Sequence, residues 1–467
     1  MPINSFDDYP MSWKPQLSRL ETPLYKALVN HLEADIQRGI LKPGDMLPPQ
    51  RELADFLDIN LSTITKAFKL CEQKGLICAT IGKGTFIASD IGVSGKLLHS
   101  SSKPHLIDLG AIHPSYTQNT YILDALKDFL SSTDASPYLQ YTSTCGHIGQ
   151  RQAGLKWLSK VKLHTSPNNI LLASGGQNAL CAILSTFFET GDRIGTDPLI
   201  YAGFKTLAKM LGIQLVPVPQ ENGEMCPRTL RSFCKKEGLK ALYLIPDFHN
   251  PTTHTMSLAT RQAIAKLAEE ESLLLIEDAI NSSFARDLLP PITSFAPDNT
   301  FYVSSTSKSI CPALRISFIA CPSSYIKALE LGLYNINMMI SPLTAQMTTR
   351  LIDSSIAEKI LIEKQKEILE RNQLADSILG DYSLLGSSDC NFRFLLLPEG
   401  WSGKAFEMCA KKAGVQVYCA ERFVVGNAPL PAAVRLSIAT PPTKEDLSKA
   451  LMILKSLLEQ DMDLTLF

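Results

Sequence analysis

The sequence predicts two folded units in one chain: a small α+β winged helix-turn-helix module and a large α/β domain on a largely parallel sheet. Three observations carry that expectation. Near the N-terminus, helical patterns joined by a tight turn precede two strand-like segments around a Gly-Lys-Gly tip. Farther on, short continuous apolar runs of the kind buried on both faces alternate with helical patterns. A length of 467 residues also exceeds what one hydrophobic core ordinarily organises.

The module is placed at residues 22–89, after an N-terminal extension of residues 1–21. In TPLYKALVNHLEADIQRGI, Leu24, Ala27, Leu28, Leu32 and Ile36 make a helical stripe that Gly39 can stop. The KPGD turn leads into PPQRELADFL, a short helix with Pro49 at its front and Leu53, Phe56 and Leu57 facing inward. Asn60 then caps a third helix, NLSTITKAFKLCEQKGL, which Gly75 ends. Ile64, Ala67, Phe68 and Cys71 form its buried face, so Ser62, Thr63, Thr65 and Lys66 look outward near its front. In a helix-turn-helix, such groups reach base edges or phosphates from the major groove of double-stranded DNA. Arg51, in the first turn of the second helix, is a candidate phosphate contact. LICAT and TFIAS read as the strands of a wing whose tip residue Lys83 can touch the DNA backbone. A helical domain used for protein contacts is the plainer alternative.

The formal net charge of -1 gives no global attraction to nucleic acid or membrane, so DNA binding has to be local. No segment approaches the roughly 20 apolar residues of a membrane span. The first residues, MPINSFDDYPMSWKP, lack the basic start and apolar core of a signal peptide. The 11 cysteines are scattered without a CxxC pair, which favours reduced thiols and a cytoplasmic setting. His249 and His254 straddle Asn250-Pro251 and cannot share a helical face, so no metal site is expected.

Residues 90–105 are polar, rich in small residues and without periodicity, and read as a linker. Residues 106–467 form the large domain. NNILLAS, KALYLIP, SLLLIED, NTFYVSS and ISFIACP are its apolar strands, and LATRQAIAKLAEEE is one of its helices. Ligands of such a domain gather at the carboxyl ends of strands. There NNILLAS gives way to Gly175, Gly176 and Gln177, a glycine turn offering N–H groups to a phosphate. KALYLIP is followed by Asn250, SLLLIE by Asp278, and FYVSS by Thr306, Ser307 and Lys308. Lys308 alone reads as a solvated loop residue, and Asp278 alone as a loop cap. Together, four strand ends present a phosphate cradle, an amide, a carboxylate and an amine. A pyridine aldehyde phosphate uses those four groups.

The stretch PLY…IQRGILKPGDMLPPQRELADFLDINLSTITKAFKLCEQKGLI…GKGTF resembles the winged helix-turn-helix of the GntR regulators. The large domain resembles the fold-type I aminotransferases that depend on pyridoxal phosphate. Together they resemble the MocR regulators, a GntR branch in which an aminotransferase-like domain senses effectors. The resemblance implies that Lys308 condenses with the aldehyde of pyridoxal 5′-phosphate and that Asp278 pairs with its ring nitrogen. It implies that Asn250 bonds the phenolic oxygen and that Tyr201, in DPLIYAG, stacks on the ring. Gly175, Gly176, Gln177, Ser305, Ser307 and Arg315 would hold the phosphate. Arg435, in VRLSIA, would receive the carboxylate of a substrate or effector, or else make an ordinary surface ion pair.

Four positions depart from the family pattern. Leu61 stands where many relatives have arginine, and Thr253 where the NPTG turn has glycine. Ala279 replaces a second acid, and Ile280 replaces the tyrosine two residues after the aspartate. A phenol there would hydrogen-bond the cofactor and orient it. The expectation is a homodimeric, DNA-binding transcription regulator that binds the cofactor covalently, senses a small amino compound or the cofactor itself, and transaminates poorly or not at all. A working aminotransferase is the alternative, and a cofactor-free relic that only binds DNA is the third.

Overall fold

The computed structural model of the chain describes residues 11–17, 23–80, 84–88, 106–132 and 135–459. The expected linker, residues 90–105, and the wing-tip residues Gly82 and Lys83 lie outside the described residues.

The N-terminal module follows its apolar spacing. Helices span Leu24–Gln37, Gln50–Leu57 and Leu61–Gln73. Strands Met46–Leu47, Gly84–Ile87 and Ile77–Thr80 pair antiparallel in that order. Leu28, Leu32, Leu53, Ile64, Ala67, Phe68, Ile77 and Ile87 fill one core, while Phe56 and Leu57 are only half-buried against it. Asp58 adopts the left-handed conformation (φ 50°) that ends the second helix. Two residues on, the Asn60 side chain accepts a hydrogen bond from the Ser62 N–H at 2.9 Å and starts the third. Trp13, from the extension the sequence sets apart, is 4% exposed and belongs to this core. Its indole N–H donates to the buried carboxylate of Asp35 at 2.8 Å, so each meets the other's polar demand.

Seven strands form the large sheet. Their order is Ile170–Ala173, Ser317–Ala320, Thr300–Ser305, Leu274–Asp278, Ala241–Leu244, Arg193–Thr196 and Gln214–Pro217. The last five run parallel. Ser317–Ala320 lies antiparallel to both its neighbours. Residues alternate between two covered faces: Phe301 and Val303 join one apolar cluster and Tyr302 another. The expected runs are therefore strands. RIGT and QLVP, mixed and short, are strands too, though their residues carry little apolar signal.

A second lobe follows the long helix Ile356–Leu379. Its four-stranded antiparallel sheet runs Leu384–Leu385, Phe392–Leu396, Ala433–Ser437, Tyr418–Cys419. Helices Gly403–Lys412 and Lys444–Leu458 cover it around Leu395, Phe406, Val434, Leu436 and Leu451. Ile107–Asp108 pairs with Val415–Gln416, so the start of the large domain is anchored in this lobe. All 11 cysteines are free thiols. Among the described residues no helix is long and apolar enough to cross a membrane, and no cluster of side chains suits a metal ion.

The loop carrying Asn250 is clamped from beneath. Fully buried Arg261 donates to Asp247 at 2.5 Å and to the carbonyls of Pro246, Met256 and Pro290. Ser282 donates to the other Asp247 oxygen at 2.7 Å. Arg261→Ala would leave that carboxylate buried without its cation. It should lower the unfolding free energy by about 3–5 kcal/mol, measured by urea denaturation.

Candidate cofactor site and DNA-reading head

The strand ends converge on one cavity of about 490 Å³. It is lined by Gly176, Gln177, Tyr201, Asn250, Asp278, Ser305, Ser307, Lys308, Arg315 and Arg435, together with apolar Ile112, Ile245 and Ile280. Every residue the sequence assigned to it is therefore there except Gly175, which sits immediately behind the lining.

Each group arrives by a local rule. Strand Thr300–Ser305 runs into the one-turn helix Thr306–Ser309, started by Ser305, whose Oγ accepts from the Ser307 N–H at 3.2 Å. That turn aims Lys308 at the cavity, where its Nζ donates to the carbonyl of Ile112. Helix Gly176–Phe187 begins at the cavity wall with its first N–H groups outside the helical ladder. Gly175, at φ 91° and ψ 163°, holds a conformation that other residues resist. A Cβ on Gly175 would collide with the Arg315 guanidinium, and one on Gly176 would come within 2.7 Å of Ile280 Cδ1. Arg315 itself is exposed and donates to Ser307 Oγ at 3.1 Å and to the Ser174 carbonyl at 3.3 Å. Bare glycine backbone, a helix N-terminus, hydroxyls and a guanidinium thus surround one small volume, the donor set a phosphate requires.

The buried charges make the second half of the site. Asp278 is buried at the end of its strand. Burial raises its carboxyl to about 6, opposed by hydrogen bonds from Tyr243 (2.7 Å) and the Ile280 N–H (3.4 Å). Tyr243 is fixed by stacking on Phe204, with ring centroids 3.6 Å apart. The sequence assigned Tyr243 no role, although a lone hydroxyl within the apolar run KALYLIP needs a buried partner. Burial, helped by the cations Arg435, Arg315 and Lys364, lowers the Lys308 amine to about 8. Tyr201 precedes its helix, donates from its phenol to Gln177 at 3.1 Å, and is raised by burial to about 12.

Arg435 is not the surface ion pair that was the plainer alternative. It is 1% exposed, donating to Asn250 Oδ1 and the Gly110 carbonyl, each at 2.6 Å. Its Nε finds no partner, and burial pushes the guanidinium down to about 10. Because Asn250 spends Oδ1 on Arg435, its amide N–H groups remain for a ligand. A carboxylate to be protonated or paired, an amine whose proton is loosened, a phosphate cradle and an uncompensated guanidinium fit the needs of pyridoxal phosphate with a carboxylate-bearing partner.

In the head, Ser62, Thr65 and Lys66 are exposed as expected, and Thr63 is half-buried. Arg51 is exposed on the second helix. The Thr65 hydroxyl donates to Gln50 at 2.8 Å, and the Lys66 ammonium lies 4.2 Å above the Tyr25 ring. Gln50, which sequence reasoning left out, therefore shares the reading surface with Thr65.

Comparison with known proteins agrees with both halves. Residues 104–453 match the family "Aminotransferase class I and II", and residues 24–87 match "Bacterial regulatory proteins, gntR family". The uncharacterised HTH-type transcriptional regulator YdeF of Bacillus subtilis (strain 168) is 45% identical over 459 residues, 98% of this chain and 99% of that one. The HTH-type pyridoxine biosynthesis transcriptional regulator PdxR of Corynebacterium glutamicum is 22% identical, covering 77% of this chain and 80% of its own. An archaeal alanine:glyoxylate aminotransferase shares the large-domain fold, with a TM-score of 0.70 at 23% identity over 76% of this chain and 91% of that one. LysN, an α-aminoadipate aminotransferase of Thermus thermophilus, does so at 0.69 and 21% over 76% and 92%. Fold and site define a DNA-binding transcription regulator whose effector domain is an aminotransferase-like domain. The chain belongs to the MocR-type regulators of the GntR family. Its family membership implies pyridoxal 5′-phosphate as the cofactor.

The Asp278 carboxyl should titrate near 6 in protein freed of cofactor. Tyr243→Phe removes a hydrogen bond to the charged form, so the titration should move to higher pH. Infrared difference spectra of the carboxyl band across pH check both.

Proposed function

We propose that the large domain captures pyridoxal 5′-phosphate at Lys308 and senses a carboxylate-bearing amino compound, while the head binds double-stranded DNA. The observation that carries this reading is that Lys308, Asp278 and Arg435 line one cavity beside a glycine cradle. When bound, the cofactor supplies an aldehyde that condenses with primary amines and a cationic ring that draws electrons.

The chain's own residues then have separable tasks. Gly175, Gly176, Gln177, Ser305, Ser307 and Arg315 seat the phosphate. Asp278, short of a counter-charge in its burial, favours a protonated ring nitrogen. Asn250 would donate to the phenolic oxygen, and Tyr201 would lie against the ring. Below about pH 8 the Lys308 Nζ holds its proton, and above it the amine has a free lone pair, the form that would be needed to capture an aldehyde. Arg435 receives the effector's carboxylate through its fork of donors.

Ile280 supports sensing over turnover. It lines the cavity where a phenol would bond and orient the cofactor, and an alkyl group does neither. The absence of that hydroxyl leaves capture groups intact while removing a proton-handling one. Large apolar side chains left exposed at Leu139, Tyr141, Ile148, Leu331 and Tyr334 support a homodimer in which they are covered. Arg51, Ser62, Thr63, Thr65, Lys66 and Lys83 are the DNA contacts of this reading, in a cytoplasmic setting.

Pyridoxal 5′-phosphate added to the pure protein should give a visible band that borohydride fixes to the chain, and Lys308→Ala should abolish the fixed label. The rate of capture should rise with pH through about 8, as the amine loses its proton. Amino acids should shift the band without accumulating keto acid. Sustained keto-acid release would sink the sensor reading in favour of an aminotransferase.

Arg51→Ala should weaken binding to a DNA fragment selected by the parent and lower its salt slope by about 1. Fluorescence anisotropy at several salt concentrations reads this.

A further inference from the structure

The long helix Ile356–Leu379 carries one lysine that none of these roles explains. Lys364 is 2% exposed, and its Nζ donates to the carbonyl of Ile310 at 2.7 Å and to that of Lys308 at 3.2 Å. The acid one turn away, Glu367, is engaged by Arg371 at 2.7 Å. An ammonium buried on carbonyls alone is costly to desolvate. A shorter apolar residue would fill the same space more cheaply, unless those carbonyls need holding.

They do need holding. The helix Thr306–Ser309 has a single turn, too short to be stable by itself, and its last carbonyls lie beyond any helical partner. Lys364 supplies donors to two of the carbonyls at its end. The same long helix grips the second lobe: Arg371 donates to the carbonyls of Ile438 and Pro441, and Asn372 to those of Ser388 and Cys390. One rigid element therefore touches the Lys308 turn and the lobe that carries Arg435.

We propose that Lys364 is a positioning residue for cofactor capture: its buried ammonium holds the carbonyls of Lys308 and Ile310 and fixes the turn from which the Lys308 amine enters the cavity. This rests on the assignment of Lys308 as the capturing amine. Its electrostatic consequence follows from the surroundings. The groups facing Lys308 are Arg435 from the second lobe, Arg315 from the following turn, Lys364 from the long helix and His113 from the segment that opens the large domain, with Asp278 and Tyr201 across the cavity. Burial lowers the Lys364 ammonium to about 8, against Cys311 and Glu367, which act in the other direction. At pH 7 it still carries charge for the most part. Removing that cation makes the Lys308 proton easier to keep, so less of the amine is free to attack at neutral pH.

The test uses the full chain, freed of cofactor, with Lys364→Met and Lys364→Gln. Methionine keeps a long stem without donors or charge, and glutamine restores a donor without charge. Capture of pyridoxal 5′-phosphate is followed by absorbance from about pH 6 to about pH 10, with a thermal midpoint recorded for each protein. In Lys364→Met, capture at pH 7 should slow about 3- to 10-fold and its pH midpoint should rise. Lys364→Gln should regain part of the rate while keeping the raised midpoint. A residue that only supports the core would lower the thermal midpoint and leave the pH midpoint where it was, and that result overturns the proposal. So does failure of both variants to fold, since the residue would then serve the core alone. If the parent forms no reducible lysine adduct, the assignment of Lys308 falls and this inference with it. Normal capture by the parent with an unmoved pH midpoint in folded variants removes this inference only.

Discussion

Charge buried without counter-charge is the constraint on which the large domain depends. Asp278, Arg435 and Lys364 are withdrawn from water and Lys308 is half-buried beside them, and none is paired with an opposite charge in the way Arg261 is with Asp247. Left alone, such groups disfavour the folded state by several kcal/mol each. The surrounding fold has to outweigh that, through a sheet covered on both faces and clamps such as Arg261. What remains is a cavity whose groups are poised for a ligand of complementary charge. A phosphate for the glycine cradle and a cationic ring nitrogen for Asp278 would both lower the free energy of the bound state. Ligand binding and stability are thus linked through the same side chains.

The parts of this site that were legible in the sequence are those that sit at the end of a continuous apolar run. Parallel strands buried on both faces announce themselves, and so the residue that follows each one can be placed at the mouth of the sheet. Lys308, Asp278 and Asn250 were readable on that ground, and Gly175 and Gly176 because a glycine turn before a helix has few other uses. Tyr243 was missed because it lies inside such a run, where aromatic residues ordinarily just pack. Lys364 was beyond reach for the opposite reason. It lies in EKQKEILER, whose charges read as a solvated helix face, and only the tertiary contact with the Lys308 turn separates it from its neighbours. Trp13 fell outside the expected module because no periodicity connects it to the helices it packs against.

The second lobe's share of the site was readable only in part. Arg435 stands in a short strand, VRLSIA, and its type and place by resemblance suggested a role without its burial. That burial comes from pairing in the middle of the lobe's sheet, between Phe392–Leu396 and Tyr418–Cys419. Rings of Phe423, Tyr418 and Phe392 then enclose the guanidinium at 4.8 to 5.8 Å. Such a guanidinium is weakly hydrated and rigid, which suits recognition of a planar carboxylate over a diffuse anion.

A sensor must convert binding into a preference between arrangements, and the geometry limits how it can. A ligand shifts an equilibrium only by the difference in its affinity for the two states. Lys308 belongs to the sheet lobe and Arg435 to the second lobe. Hydrogen bonds tie Arg435 to Asn250 and Gly110, and Lys308 to Ile112, while the helix bearing Lys364 touches both lobes. On the proposed reading, an amino acid that engaged the cofactor at one end and Arg435 at the other would span both lobes and favour the arrangement that set its two anchors at the right separation. The residues assigned to the cofactor all belong to the sheet lobe, so the cofactor alone would lack that leverage. On the proposed reading Ile280 sharpens the distinction, because the alkyl side chain it brings to the cavity offers the cofactor no hydroxyl.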